Sequence, residues 1–188
     1  MIKNAFISVA MIITLGLITW MTFFSFRPQP VSSTRTALKP DAIMEDVTAL
    51  IIDKQGKPSM KIVSPKVVHY SNNDTTQLTA PQMTLYRKSP LPWFISANSA
   101  SATGGVENIL FRNDVVIHHP ADQTNPATFI KTSSLLVHPN AQTAETSEDI
   151  TMMQPNLVVK ATGLFADMNT GDIKLLSKAR GEYVPDAS

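Results

Sequence analysis

The side chains in this 188-residue chain that could carry acid–base or metal chemistry are few and scattered. Four histidines, His69, His118, His119 and His138, are the obvious ligands or proton carriers. His118 and His119 are adjacent in a run of β-branched residues, and neighbours on a strand point to opposite faces, so they cannot chelate one ion together. Surface or strand-end positions are the reading for all four. Glu145, Glu148 and Asp149 gather in the polar stretch AETSEDI, which reads as a solvated turn. Asn73-Asp74-Thr75 fits the glycosylation acceptor triplet, which matters only in a eukaryotic secretory pathway. The chain has no cysteine, so disulfides, thiol catalysis, cysteine-based metal sites and a lipid-modified cysteine anchor are excluded. Gly-rich phosphate loops, G-x-S-x-G and H-E-x-x-H are all missing. The expectation is a protein that is not an enzyme and uses no cofactor or metal.

The elements that any other function must use begin with Asn4–Phe26, NAFISVAMIITLGLITWMTFFSF, which contains no Asp, Glu, Lys, Arg or Pro. At about 1.5 Å per residue a helix of this run covers roughly 35 Å, enough to cross a hydrocarbon core ~30 Å thick. Lys3 and Arg27 bound the run, and Trp20, Phe23, Phe24 and Phe26 crowd its C-terminal end, where aromatic side chains favour the interface. A cleaved signal peptide is the competing reading. Its apolar stretch is about 7–15 residues and ends in a small-x-small site. Phe23-Phe24-Ser25-Phe26-Arg27-Pro28 offers no such site, which favours a retained transmembrane helix. Lys3 before the span and Arg27, Arg35 and Lys39 after it leave the orientation open on charge alone.

Residues 27–41, RPQPVSSTRTALKPD, combine three prolines with hydroxyl side chains and read as an extended linker. Residues 42–188 form the single folded domain. Basic and acidic residues number 16 and 15, giving a net charge of +1 with no basic stripe, so a nucleic-acid partner has no electrostatic support. The predicted strands are Val47–Ile52, Met60–Val63, Gln82–Tyr86, Trp93–Ala97, Asn108–His118, Phe129–His138, Leu157–Ala161 and Asp172–Ser177, each short, β-branched and bounded by turn residues. Ser89-Pro90-Leu91-Pro92 and His119-Pro120 interrupt this pattern. No window shows helical periodicity. The domain is all-β.

A loose repeat runs through it. Ile62, Ser64, Val67 and His69 share their spacing with Ile95, Ala97, Ala100 and Ala102, with Ile130, Thr132, Leu135 and Val137, and with Val159, Ala161, Leu164 and Ala166. A step of two followed by a step of three breaks the two-residue parity of a strand. A bulge or corner at the step of three restores the apolar face, and the small residue beside it leaves room for the bend. Such a repeat describes a chain winding back and forth between two facing sheets. Ala100, Ala102, Ala161 and Ala166 stand where Leu or Ile would fill a core, which points to a cavity or groove between the sheets.

An N-terminal span, a short linker and a series of strand–corner units resemble the LptC family, the bitopic inner-membrane component of lipopolysaccharide export. The resemblance is carried by LIIDKQGKPSMKIVSPKVVHY (residues 50–70), WFISANSASA (residues 93–102) and GLFADMNTGDIKLLSKARGEY (residues 163–183). It implies an OstA/LptA-like fold, a twisted open β-jellyroll in the periplasm, behind a single transmembrane helix with its N-terminus cytoplasmic. It implies that lipopolysaccharide passes from the Lpt ABC transporter, built of LptF and LptG with LptB, through the jellyroll to LptA. The energy would come from the transporter, in keeping with the missing phosphate loop.

On that resemblance the groove lining is expected at Ile62, Val67, Ile95, Ala100, Ile109, Phe111, Leu135, Val137, Val159, Leu164, Ile173 and Leu175. The edge toward the transporter is expected at Val47, Thr48, Ala49, Leu50, Ile51 and Ile52. The edge toward LptA is expected at Asp172–Tyr183, with Ile173, Lys174, Leu175, Leu176 and Tyr183 presented to the partner. Edge pairing between jellyrolls is β-augmentation, which turns the usual hazard of an open sheet edge into a function. Two rivals predict different interiors: an anchored periplasmic scaffold that binds only proteins predicts a dry, filled core, and a tethered enzyme predicts a polar cleft.

Overall fold

The computed structural model describes residues 39–86, 91–123 and 126–183. The expected span at residues 4–26 and nearly all of the linker lie outside them. Among the described residues no helix is long and apolar enough to cross a membrane. Eleven strands, all antiparallel to their neighbours, form one continuous sheet: β1 (Ala42–Ile52), β2 (Pro58–Tyr70), β3 (Thr75–Thr79), β4 (Gln82–Leu85), β5 (Trp93–Ser96), β6 (Ser99–Thr103), β7 (Asn108–His119), β8 (Thr128–His138), β9 (Thr143–Gln154), β10 (Leu157–Asp167) and β11 (Asp172–Tyr183).

The topology is a plain meander of bent strands. β2 pairs with β4 over Met60–Val63 and with β3 over Lys66–Tyr70. β7 likewise pairs with β6 over Asn108–Arg112 and with β5 near Val116–His118. Thus β3 with β4, and β5 with β6, are the two halves of one strand broken at a corner, and every bent unit pairs only with its neighbours in sequence. The N-terminal or C-terminal half of each unit joins a first layer, which contains β4 and β5. The other half joins a second layer, which contains β3 and β6.

The corners explain the spacing of the apolar residues. On β2 the buried positions run Met60, Ile62, Ser64 and then Val67; on β8 they run Thr128, Ile130, Thr132 and then Leu135. β10 does the same at Ala161 and Leu164, across Gly163 with φ 78°. On β7 and β9 the step is four, from Phe111 to Val115 and from Thr146 to Ile150. On β7 it is taken by Asn113 and Asp114, both left-handed at φ 64° and 53°. Asn and Asp tolerate that conformation better than other side chains with a Cβ.

Strand ends differ from the sequence expectation for the same reason. β1, β10 and β11 run on past the predicted segments because each turns a corner that interrupts simple alternation. Thr75–Thr79 and Ser99–Thr103 are strands of small polar residues that carry little apolar signal. The stretch holding Glu145, Glu148 and Asp149 is no turn: it lies within β9, with all three carboxylates outward or at its corner. Its alternation is masked because only Ala144, Thr146 and Ile150 face inward.

The two layers cross. Asp53, Gln55 and Lys57, in the turn between β1 and β2, line one surface hollow with Gln142 and Asn169, from turns at the far end of the other layer. The buried residues of both layers form one cluster, with Phe111, Met60, Met83, Leu85, Ile95 and Leu164 among its largest fully buried side chains.

Candidate apolar groove and strand edges

Period-two alternation places one face of every half-strand in the space between the layers. Of the twelve expected lining residues, Ile62, Val67, Ile95, Ala100, Ile109, Phe111, Leu135, Val137 and Leu164 are buried in that single cluster. Ile173 and Leu175 are partly buried and pack against it, and Val159 is half-exposed at its margin. The sequence pattern missed several residues on the same face, Met60, Met83, Leu85, Trp93, Ile117 and Ile150, and Ile130, a repeat position, was left out of the expected lining. The alternation within β5, Trp93 then Ile95, was the available signal.

The interior is sealed in its middle and open at two sides. Inward positions on β5 to β8 are buried in both layers. Toward the ends of the meander this fades. On β1, the partner of Val67 in register is Met44, which is 46% exposed. On β11, the partner of Leu157 is Tyr183, which is 69% exposed, while Leu157, Val159 and Met152 beside it are half-exposed. Because the layers cross, each end of the meander lacks a cover on one layer. An apolar face therefore emerges into solvent at β1 and again at β11.

The small inward residues all lie within the buried cluster. Ala97, Ala100, Ala102, Ala144, Ala161 and Ala166 are all buried. Three surface hollows are lined by polar turn and corner residues such as Asp53, Asn113 and Glu148, and include none of the twelve lining residues.

Both expected edges are edges. Among the described residues β1 pairs only with β2, and β11 only with β10. Val47 and Ile51 tuck partly against the core, whereas Thr48, Ala49, Leu50 and Ile52 are exposed. On β11, Lys174, Leu176 and Tyr183 are exposed beside the half-buried Ile173 and Leu175.

The histidines take separate roles. His118 faces outward between Phe94 and Phe129. His119 is at a strand end, as expected, but is buried inward rather than at the surface, its ring 4.8 Å from that of Trp93. A strand end can be interior when the facing layer covers it. His69 bonds Thr76 Oγ1 at 3.0 Å, and His138 bonds Asn108 Oδ1 at 2.7 Å.

The chain matches the family described as lipopolysaccharide-assembly, LptC-related, over residues 8–184. No curated protein matches it. Among solved structures it is similar to the crystal structure of LptH from Pseudomonas aeruginosa, described as the LptA homologous periplasmic component of the conserved lipopolysaccharide transport device. That likeness has 9% sequence identity and a TM-score of 0.44, over 77% of this chain and 94% of the other.

Proposed function

The chain belongs to the LptC-related family of lipopolysaccharide assembly, and from that premise we propose that it is the bitopic inner-membrane member of a lipopolysaccharide export system. In this reading residues 4–26 anchor it with the domain in the periplasm. The domain takes lipopolysaccharide from the ABC transporter of LptF, LptG and LptB at the β1 edge, holds the acyl chains between its layers, and passes them to LptA at the β11 edge. No bond is made or broken, so no nucleophile or cofactor is required; the transporter supplies the work.

One observation carries this reading. The apolar inward face is continuous from one edge strand to the other and emerges into solvent at both, at Met44 and at Tyr183. Single exposed apolar side chains are ordinary, but an apolar face that runs out of the core into solvent at a sheet edge marks an interaction surface. The packed middle has a second consequence: acyl chains enter only if the layers part, and the bent strands, hinged at corners such as Asn113-Asp114, are the elements that would flex.

The same packed middle is what a scaffold binding only proteins would show. A photo-crosslinking residue at Phe111 and, separately, at Arg112 separates the two, because these neighbours on β7 face opposite ways. A lipopolysaccharide adduct at Phe111 and none at Arg112, in cells making lipopolysaccharide, is the expected result. Adducts at neither site, with the protein folded and membrane-bound, would establish the scaffold instead.

A further inference from the structure

The outer face of the first layer carries an ordered apolar row beside an ordered basic row, and no part of the groove reading uses either. In register across β5, β7, β8, β9 and β10 stand Phe94, His118, Phe129, Met153 and Val158. Phe94 is 39% exposed and Phe129 42%. His118 is stacked between them, 4.1 Å from the Phe129 ring at 14° and 6.0 Å from the Phe94 ring at 22°. Its Nδ1 is buried with no hydrogen-bond partner among the described residues. The row is thus a largely apolar strip, with stacked rings at one end, on a surface where solvent would ordinarily select polar side chains.

The next outward row toward the corner holds Lys131, Thr151, Lys160 and Arg180 in register. The three cations are exposed, and among the described residues none is ion-paired. With Lys61 they make four cations against three anions, Glu182 and the corner residues Asp114 and Asp149, the last two sharing a surface hollow with Lys131. The outer face of the second layer has the opposite balance, with Glu45, Glu145, Asp167 and Asp172 against Lys66, Arg112 and Lys174. The first layer's outer face thus sets three exposed cations beside stacked aromatic rings, whereas on the second layer Leu110, Leu136 and Phe165 share one row with Glu145 and Lys174.

We propose that the outer face of the first layer rests on an anionic phospholipid surface, with the Phe94–His118–Phe129 strip at the headgroup level and Lys131, Lys160 and Arg180 against the phosphates. Aromatic rings with one wet edge partition to that depth, and cations close to a negative surface are drawn to it within a Debye length. The inference rests on the proposed anchor at residues 4–26, from which fifteen residues, 27–41, reach at most roughly 50 Å at about 3.3 Å each. The inference stands apart from lipid transport through the interior, since it concerns the opposite face of the same strands.

The test uses the full chain in nanodiscs, either of phosphatidylcholine alone or with phosphatidylglycerol added. Because the chain has no cysteine, Thr151→Cys and, separately, Ser101→Cys each carry one nitroxide, the second on the outer face of the second layer. The expected result is shielding of the label at 151 from an aqueous nickel chelate in anionic discs only, with the label at 101 remaining aqueous in both. Added salt should release it, and replacing each of Lys131, Lys160 and Arg180 by Gln should lower the docking equilibrium about fivefold per cation. A label at 151 that stays aqueous in both discs overturns the proposal. So does shielding that is equal in both, or that survives high salt in the unmutated face.

Discussion

Leu176 of β11 lies across the α-carbon of Gly163 on β10: a Cβ at 163 would meet its Cδ1 at 3.0 Å and its Cβ at 3.1 Å. Gly163 also sits at φ 78°, where an L side chain is strained. The corner of β10 therefore needs glycine twice, for its backbone angle and for the close approach of the next strand. Gly163→Ala should cost about 1 kcal/mol for the left-handed backbone and about 1–3 kcal/mol for overpacking. A thermal midpoint roughly 10 °C lower is expected for a domain of this size. Adding Leu176→Ala should recover the packing part and leave the backbone part. A Gly163→Ala midpoint within about 1 °C of the parent would mean that the two strands do not approach as described.

Ser64, at the corner of β2, is buried, and its hydroxyl lies 2.7 Å from the Thr79 carbonyl and 2.9 Å from that of Lys66. It joins both arms of the corner to β3, where the chain changes layer. Ser64→Ala fits the space but removes the single hydroxyl proton that the two part-buried carbonyls share, so a loss of about 1 kcal/mol in urea unfolding is expected. An unchanged midpoint would show that water replaces the hydroxyl there.

What the sequence disclosed, and what it hid, follows from these corners. The spacing of Ile62, Ser64 and Val67, and its recurrence at Ile130, Thr132 and Leu135, is the bend itself written in side-chain type, so the two-layer meander and most of the inward-facing residues were legible. The polar half-strands were not. Thr75–Thr79 contributes only Leu78 to the core, and Ser99–Thr103 only two alanines, so neither carries a hydrophobic pattern strong enough to read. The crossing of the layers was hidden as well, because it depends on the sum of twists across the whole sheet rather than on any local residue. That crossing decides which inward residues emerge, and so why Met44 and Tyr183 are exposed while Phe111 is sealed.

Ala100 offers a measure of how much room the interior holds. It is buried on β6 between Leu78 and Phe111 in register. Ala100→Leu should overpack the resting domain by about 1–3 kcal/mol. In the groove reading it should also lower lipopolysaccharide crosslinking at Phe111 in cells. Destabilisation without loss of crosslinking would place the acyl chains elsewhere along the inward face.

The exposed side chains of β1 test partner binding separately from folding. Leu50 is 55% exposed and Ile52 60%, and both lie on a strand that pairs on one side only. Leu50→Lys with Ile52→Lys removes little buried area, so stability should change by no more than about 0.5 kcal/mol. Cations on a sheet edge are also a device by which proteins discourage strand addition. Co-purification of the transporter with the full chain should therefore fall while the thermal midpoint holds. If the midpoint holds and co-purification is unchanged, the transporter does not dock on β1, and the anchor helix becomes the contact to probe.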